Sequence, residues 1–507
     1  MSSLDSQSRD SGLDSDTSHN YVTVIQNEYS RNRGFPQPPD PYSDYSSPRN
    51  GEVQSGGEEN GSSEGYKTLS ESTNSQWERT EDSQSDQTPH SIKVCVYLMS
   101  DVAFHMELED GANTTVPEMV QAIVNDPELG LPKSAANIFT MWMCSGLLEL
   151  QLKPGHRPLA VRAKWPALLA KYAHATDSRQ RRDEPVLSFQ RNVFLPRATD
   201  QRIKDAKVVE LLYHEARYNI LEGRYPCEVN NYIMLGAIQA RLELGPYNPQ
   251  HHTIHFFREQ QSNFLPVHMR RGVWTSWLHL SGKTSPEVKL LENFKLIPAN
   301  TTERKLQRKY LEFCWSLPYY GCAFFQGQVE QPVRGLTSLI THQDVPVLVG
   351  INTQGVYIID NVQCCLLLGL KYEDMSWDFA KPSQEDNPDC LPCLFLQFRV
   401  LENGTRVFKI LQVFSKQAVM MDALISGFVE DVKRKASAAL NSDETDRPSE
   451  AATDSDDTQM PLTKQDLPQA SLGNKLSKLT LATFDEEEID LTSLNFNSLR
   501  PNIYTRD

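Results

Sequence analysis

Cys390 and Cys393, separated by two residues, form the motif in this chain that most directly suggests chemistry. A CxxC pair can hold zinc, but a structural zinc site needs four ligands, usually from a second pair with similar spacing. Cys364 and Cys365 lack that spacing, and they fall in a predicted strand, where successive side chains point to opposite faces. A redox-active pair needs a thioredoxin-like βαβ setting, which the neighbouring sequence does not provide. These residues therefore predict free thiols, with no metal and no cofactor.

The histidines His251, His252 and His255 are a second candidate metal cluster. No cluster of acidic residues lies near them in the sequence, so we expect solvated or structural side chains. The chain also has no phosphate-binding glycine loop, no HExxH and no GxSxG motif. The sequence therefore predicts that this protein is not an enzyme. A cryptic enzyme or zinc protein is the alternative, and stoichiometric zinc in an elemental analysis would favour it.

A basic cluster on one predicted helix is the candidate surface for an anionic partner. Its members are Arg304, Lys305, Arg308 and Lys309. Spacing of four residues places two basic pairs on one helix face, where an acidic peptide or an anionic phospholipid could bind at about 1 kcal/mol per charge near a membrane. The alternative is a solvated helix face. Nucleic acid is not an expected partner, because the isoelectric point is near 5.3 and the folded middle is almost neutral.

The negative charge of the chain belongs to its two ends. The formal net charge is −16, of which residues 1–90 contribute −10 and residues 436–507 contribute −8. Both ends are rich in polar and acidic residues, so we predict a disordered acidic N-terminal arm and a mostly disordered acidic tail. No signal peptide pattern and no apolar run long enough to span a bilayer occur. We therefore expect a cytoplasmic protein whose membrane contacts are peripheral or made through a partner.

The middle of the chain divides into three parts by its hydrophobic periodicity. Residues 91–185 alternate short strands with one helix that begins near Thr115. Residues 186–317 carry helical apolar stripes, and Gly223 is the natural end of the first long helix. Residues 318–435 contain many short strands separated by hairpin turns and closed by one amphipathic helix. The order is that of a ubiquitin-like unit, a helical unit and a pleckstrin-homology-like sandwich.

Two long segments resemble the FERM domain family. Leu211–Cys227 ends in Ile-Leu-Glu-Gly-Arg-Tyr-Pro-Cys, which is similar to the signature of the central FERM lobe. Tyr310–Phe313 followed by Leu317–Phe325 is similar to the passage into the third lobe. The resemblance covers about residues 91–435. It implies an α+β, multi-lobe FERM cloverleaf with a ubiquitin-like lobe, a helical acyl-CoA-binding-protein-like lobe and a PH/PTB-like β-sandwich lobe, between disordered N- and C-terminal arms.

The resemblance implies a non-catalytic adaptor or scaffold that binds cytoplasmic tails of membrane proteins. The strand Met141–Cys144, the N-terminal arm and the short tail are similar to family members whose implied partners are iRhom pseudoprotease tails, and so to a role in cell-surface sheddase maturation. Such an adaptor is expected at the cytosolic face of the plasma membrane and of secretory-pathway membranes. The alternative is an ezrin-type membrane–cytoskeleton linker, against which the acidic segment Asp485–Asp490 argues.

The implied third lobe leaves an edge strand beside its C-terminal helix, where an extended peptide can add to the sheet. We assign this edge to residues 376–380. The candidate groove residues are Trp377, Phe379, Met420 and Leu424. If the phase of the helix is shifted by one residue, Met421 and Ile425 replace the two helix residues. The other interpretation is that all four helix residues belong to the core.

The tail contains one apolar segment, Leu472–Leu481, followed by Phe484 and acidic residues. Its leucines favour two interpretations. The segment is either a short docking or self-masking motif or part of the disordered tail.

Overall fold

The computed structural model describes the three predicted lobes and parts of the chain on either side of them. The described residues are 23–25, 91–100, 102–270, 285–330, 332, 344–384, 387, 390–402, 404–440 and 474–485. Most of the two predicted arms lies outside these residues. Within the described ranges, no helix combines the length and the low polarity that crossing a bilayer requires.

The first lobe is a six-stranded sheet packed on helices. Its strands are β1 Thr23–Ile25, β2 Ile92–Leu98, β3 Ala103–Leu108, β4 Phe139–Cys144, β5 Glu149–Gln151 and β6 Val186–Arg191. Its helices are α1 Val116–Asn125, α2 Pro158–Ala163, α3 Trp165–Tyr172 and α4 Asp177–Gln180. The sheet order is β1-β3-β2-β6-β4-β5, with β2 parallel to β6. The three residues of β1 come from the predicted N-terminal arm and pair with β3.

Local chemistry fixes the start of α1, as the sequence predicted. The backbone N–H of Thr115 donates to Glu118 Oε2 at 2.7 Å, which satisfies one donor at the helix N-terminus. The first-lobe sheet extends past residue 185, where the sequence predicted the boundary between the first two lobes. Because β6 is hydrogen-bonded to both β2 and β4, the first lobe continues to Arg191.

The second lobe is helical. Its helices are α5 Arg197–Asp200, α6 Ala206–Leu221, α7 Val229–Leu244, α8 Ile254–Glu259, α9 Gln261–Phe264, α10 Pro286–Leu296 and α11 Glu303–Ser316. Gly223 has a φ of 69°, which confirms it as the left-handed residue that ends α6. The aromatic rings of Phe257, Phe264 and Phe294 pack together between α7 and α10, and all three side chains are buried.

The third lobe is a sandwich closed by one helix. Its strands are β7 Ala323–Val329, β8 Val345–Ile351, β9 Gly355–Asp360, β10 Cys365–Lys371, β11 Met375–Ala380, β12 Cys393–Glu402, β13 Thr405–Phe414 and β14 Ala482–Asp485. The closing helix is α12 Ala418–Leu440. The strand order is β10-β9-β8-β7-β13-β12-β11, and β14 pairs with β13 beside this path. β14 belongs to the tail, so part of the predicted disordered tail is an element of this lobe.

Two arginines, the buried Arg191 and the half-buried Arg224, join the three lobes. Arg191 at the end of β6 binds Asp200 of α5 at 2.7 Å and stacks on Tyr320, which leads into the third lobe. Arg224, just after α6, forms two bonds with Glu149 of β5 and stacks on Phe324 of β7. Each guanidinium therefore contacts groups from all three lobes, and the lobes pack around one polar junction.

Candidate peptide-binding site

The strand β11 lies at the end of the third-lobe sheet and is the candidate site for an added strand. It pairs antiparallel with β12 from Met375↔Phe398 to Ala380↔Cys393. On its other side no strand pairs with it among the residues that the structure describes. An edge strand of this kind presents a row of main-chain donors and acceptors to an extended partner. The structure thus places the sequence-predicted edge, residues 376–380, at the end of the sheet.

Side chains alternate along β11, and one face turns toward α12. Met375, Trp377 and Phe379 are half-buried, whereas Ser376 and Asp378 are exposed. Trp377 Nε1 donates to Asp422 Oδ1 of α12 at 2.9 Å, which fixes the distance between the strand and the helix. Trp377 and Phe379 therefore lie on the side of the edge strand that faces α12; we call this region the β11–α12 groove and these two aromatic side chains its floor.

The helix phase differs from the main prediction by one residue. The buried residues of α12 are Ala418, Met421, Ile425 and Phe428. Met420 and Leu424 are half-buried at the margin of the lobe core. Met421 and Ile425, which replace these two residues in the groove if the phase is shifted, are fully buried in the lobe core, as the core interpretation expects.

Met420 and Leu424 lie on the flank of α12 that is turned away from Trp377. Asp422 is two positions from each of them, and two residues correspond to about 200° around a helix. Because Trp377 binds Asp422, the flank that faces β11 carries Asp422, Ser426 and Val429, all of which are half-buried. The structure brings Trp377 and Phe379 together on one strand, but not with Met420 and Leu424 in one groove.

Sequence reasoning missed Asp422, Ser426 and Val429. Asp422 could have been found from the sequence, because a carboxylate beside the apolar stripe of a helix can accept a hydrogen bond from a tryptophan N–H. In the groove it supplies one polar group among apolar side chains. This combination suits an extended peptide that gains main-chain hydrogen bonds along β11 and side-chain contacts with the floor.

The four basic candidates, Arg304, Lys305, Arg308 and Lys309, lie on α11. Arg304 and Arg308 donate to backbone carbonyl oxygens of residues 201–204 at 2.5 to 2.7 Å. Lys309 forms an ion pair with Glu312 at 3.3 Å. Arg304 and Arg308 therefore attach α11 to the chain segment that leads into the second lobe. Anionic phospholipid binding by this cluster remains a prediction.

Cys393 and His252 are buried, whereas His251 and His255 are exposed. Neither Cys390 nor Cys393 forms a disulfide bond, and burial raises the pKa of Cys393 to about 12, so its thiolate is scarce at neutral pH. His252 packs against Phe294 and accepts a hydrogen bond from the backbone of Asn248. Across the described ranges, no group of three or more His, Cys, Asp or Glu side chains is arranged to hold a metal ion.

Family models match the second and third lobes. The model of the FERM central domain matches residues 198–325. The model of the KRIT1/FRMD8 FERM domain C-lobe matches residues 345–424, which contain β8 to β13 and the start of α12.

Similar proteins cover the same body. FERM domain-containing protein 8 of Mus musculus is 37% identical over 369 residues, which span 70% of this chain and 77% of the relative. The Danio rerio protein of that name is 38% identical over 365 residues, or 70% and 76% of the two chains. Among solved structures, the human myosin 7b C-terminal MyTH4-FERM domain in complex with the harmonin-a PDZ3 domain aligns with a TM-score of 0.45 and 16% identity. That alignment covers 68% of this chain and 60% of the other.

The lobes occur in the order of the FERM cloverleaf, which confirms the predicted fold class, and the matches confirm the resemblance to the FERM domain family. With relatives at this identity matched over more than three quarters of their length, this chain belongs to the FERM domain family.

Proposed function

We propose that this chain is a non-catalytic adaptor that binds cytoplasmic tails of membrane proteins through the β11–α12 groove of its third lobe. The observation that carries the proposal is β11. It is an edge strand whose apolar side chains line a groove and whose outer main chain has no strand partner in the described part of the sandwich. FERM domains bind the tails of membrane proteins, and this family membership favours a tail peptide as the added strand.

The groove suits a tail segment that is extended and partly apolar. Main-chain hydrogen bonds along residues 375–380 give affinity without sequence preference. Alternate side chains of the peptide then contact Trp377 and Phe379, which supply selectivity. Asp422 lies beside this floor and favours a peptide that places a donor or a basic side chain there.

The narrower proposal is that the tails belong to iRhom pseudoproteases. It rests on the similarity to FERM domain-containing protein 8 and would connect this adaptor to the stability, trafficking and maturation of cell-surface sheddases. The site of action would be the cytosolic face of the plasma membrane and of secretory-pathway membranes. Anionic phospholipid at α11 would be an auxiliary contact.

Binding of the full chain to the immobilised cytoplasmic region of an iRhom pseudoprotease tests the proposal. We expect saturable binding that Phe379→Asp weakens at least about tenfold, as loss of an interface anchor does. Ser376→Asp is the matched control, because it adds the same charge to the exposed face of the same strand. Circular dichroism of each variant establishes that the fold is retained.

A pair of helix variants tests which flank of α12 forms the groove. Val429→Asp on the flank facing β11 should weaken binding, whereas Leu424→Asp on the opposite flank should leave it nearly unchanged. The reverse result would support the groove predicted from sequence. Absence of binding by the wild-type chain, or equal binding by all variants, would contradict the proposed function.

A further inference from the structure

The tail segment 474–485, defined here as the tail strap, lies on the third lobe. Its first residues attach to the outer edge of β10. The backbone N–H of Lys475 donates to the carbonyl of Leu367 at 2.8 Å, and Gly369 N–H donates to Asn474 Oδ1 at 3.0 Å. Lys478 Nζ donates to Gln363 Oε1 at 2.6 Å. These bonds fix the direction in which the strap leaves β10.

The middle of the tail strap inserts a leucine into the lobe core. Leu479 is 5% exposed and belongs to the cluster that contains the buried residues of β8, β12 and β13. Leu476 and Leu481 are half-buried against the same cluster. The strap therefore presents leucines at relative positions 1, 4 and 6 to one apolar surface.

The end of the tail strap extends the sheet. Among the residues that the structure describes, β7 pairs with β13 at Gln328↔Phe414 and at no other position, so β7 does not cover the first part of β13. β14 fills this edge, with register pairs from Ile410↔Ala482 to Val407↔Asp485. Lys409 Nζ donates to Thr483 Oγ1 at 2.7 Å beside this pairing.

We propose that the surface formed by β10 and β13 is a second peptide-binding surface of the third lobe, and that the tail strap is its displaceable intramolecular ligand. The strap binds as peptides bind to sheets, by a few main-chain bonds, a four-residue strand and one buried side-chain anchor. The strands β7 to β13 pair with each other without it. A partner that uses this surface must carry an extended segment with the same leucine spacing, and it must displace the strap.

The tail strap competes with an external peptide for this surface, and its covalent link to α12 determines how strongly it competes. Residues 441–473 join α12 to the tail strap, and a tether of this kind gives an effective concentration of about 1 mM. If the strap sequence itself binds the vacant surface with a Kd of 100 μM or less, an external peptide would therefore bind the intact chain at least about tenfold more weakly than the vacant surface. This surface is separate from the β11–α12 groove, so the inference does not depend on the proposed function.

Fluorescence anisotropy with a labelled synthetic peptide of residues 472–488 tests the inference on the full chain. We expect the chain carrying Leu479→Asp to bind the peptide at least about tenfold more tightly than the wild-type chain, because its own strap is weakened. Ala482→Asp is the matched control. It adds the same charge at an exposed position of the strap, and it should behave as the wild type. A peptide that itself carries Leu479→Asp should bind neither chain.

Two results would overturn the inference. One is equal peptide affinity for the wild-type chain and the Leu479→Asp chain, and the other is no peptide binding to either. A second design covers a folding defect in the variant. A protease site inserted between residues 441 and 473 is cut after the wild-type protein has folded. Release of the C-terminal fragment on gel filtration at micromolar concentration supports a displaceable ligand, and its retention shows a permanent part of the lobe.

Discussion

The buried ion pair between Arg191 and Asp200 gives a stability prediction that can be worked out in full. Arg191 Nε lies 2.7 Å from Asp200 Oδ2, and the side chains are 4% and 0% exposed. Asp200→Asn keeps the size and an oxygen acceptor, but it removes the carboxylate that is ion-paired with the guanidinium. Removal of one partner from a buried pair costs about 3–5 kcal/mol. Because Arg191 also donates to the carbonyls of Asn192 and Leu195, we expect the lower value, about 3 kcal/mol.

Urea unfolding of the full chain measures this loss. With a denaturant slope of about 3 kcal/mol per molar, the midpoint should fall by about 1 M. Tryptophan fluorescence and far-ultraviolet circular dichroism should shift together, because Arg191 contacts groups from all three lobes and its loss weakens their common junction.

The matched control is Glu210→Gln, which removes the same charge from an exposed pair with Lys207. These two side chains are 37% and 56% exposed, and their atoms lie 3.1 Å apart. An exposed pair contributes less than about 1 kcal/mol. The reasoning is refuted if Asp200→Asn also costs less than 1 kcal/mol, or if the two variants lose equal stability.

Four further substitutions test three features of the fold. Burial raises the pKa of Glu215 from 4.5 to about 7. Between pH 4.5 and pH 7 the carboxyl of Glu215 therefore keeps its proton in the folded chain and loses it in the unfolded chain. Stability should fall by up to about 3 kcal/mol as the pH rises through this window, and Glu215→Gln should remove that slope in urea unfolding at several pH values. The added methyl group of Gly404→Ala meets open space, so only the strain of a φ of 86° remains, and thermal unfolding should show a loss of about 1 kcal/mol. The methyl group of Gly223→Ala, at a φ of 69°, also collides with Cys364, so this variant should lose at least about 1 kcal/mol more. Thr115→Ala removes the hydroxyl that donates to Glu118 Oε2 at 2.7 Å at the N-cap of α1 and should cost about 1 kcal/mol in thermal unfolding, whereas no change would show that the backbone N–H of Thr115 bonded to Glu118 is sufficient.

Features governed by neighbouring residues were predictable from the sequence. The cap at Thr115 and the left-handed end at Gly223 are local, because each depends on one residue and its own turn. The hairpins β8–β9 and β12–β13 follow from glycine-containing turns between apolar runs.

Features that depend on distant partners were not predictable in the same way. The doublets Met420–Met421 and Leu424–Ile425 form two neighbouring apolar stripes on α12, and only packing on the sandwich selects Met421 and Ile425 as the buried pair. The placement of β6 in the first lobe depends on pairing with β2 and β4, which are far away in the chain.

The tail strap and the basic cluster show the same limit. The leucines of the strap were visible in the sequence, but its acceptor strand β13 lies about 70 residues earlier, as the pair Ile410↔Ala482 shows. Arg308 is spaced like a surface cation, yet it binds carbonyl groups about 100 residues earlier. Charge spacing along one helix does not reveal such acceptors.

Hydrogen–deuterium exchange of the full chain, with and without the cytoplasmic region of an iRhom pseudoprotease, tests the central claim most directly. The proposed groove predicts new protection of amides in residues 375–380 of β11 and in residues 422–429 of α12. Protection confined to the first two lobes, or to β13 at residues 407–410, would contradict the claim that the cytoplasmic tail of the partner adds to β11.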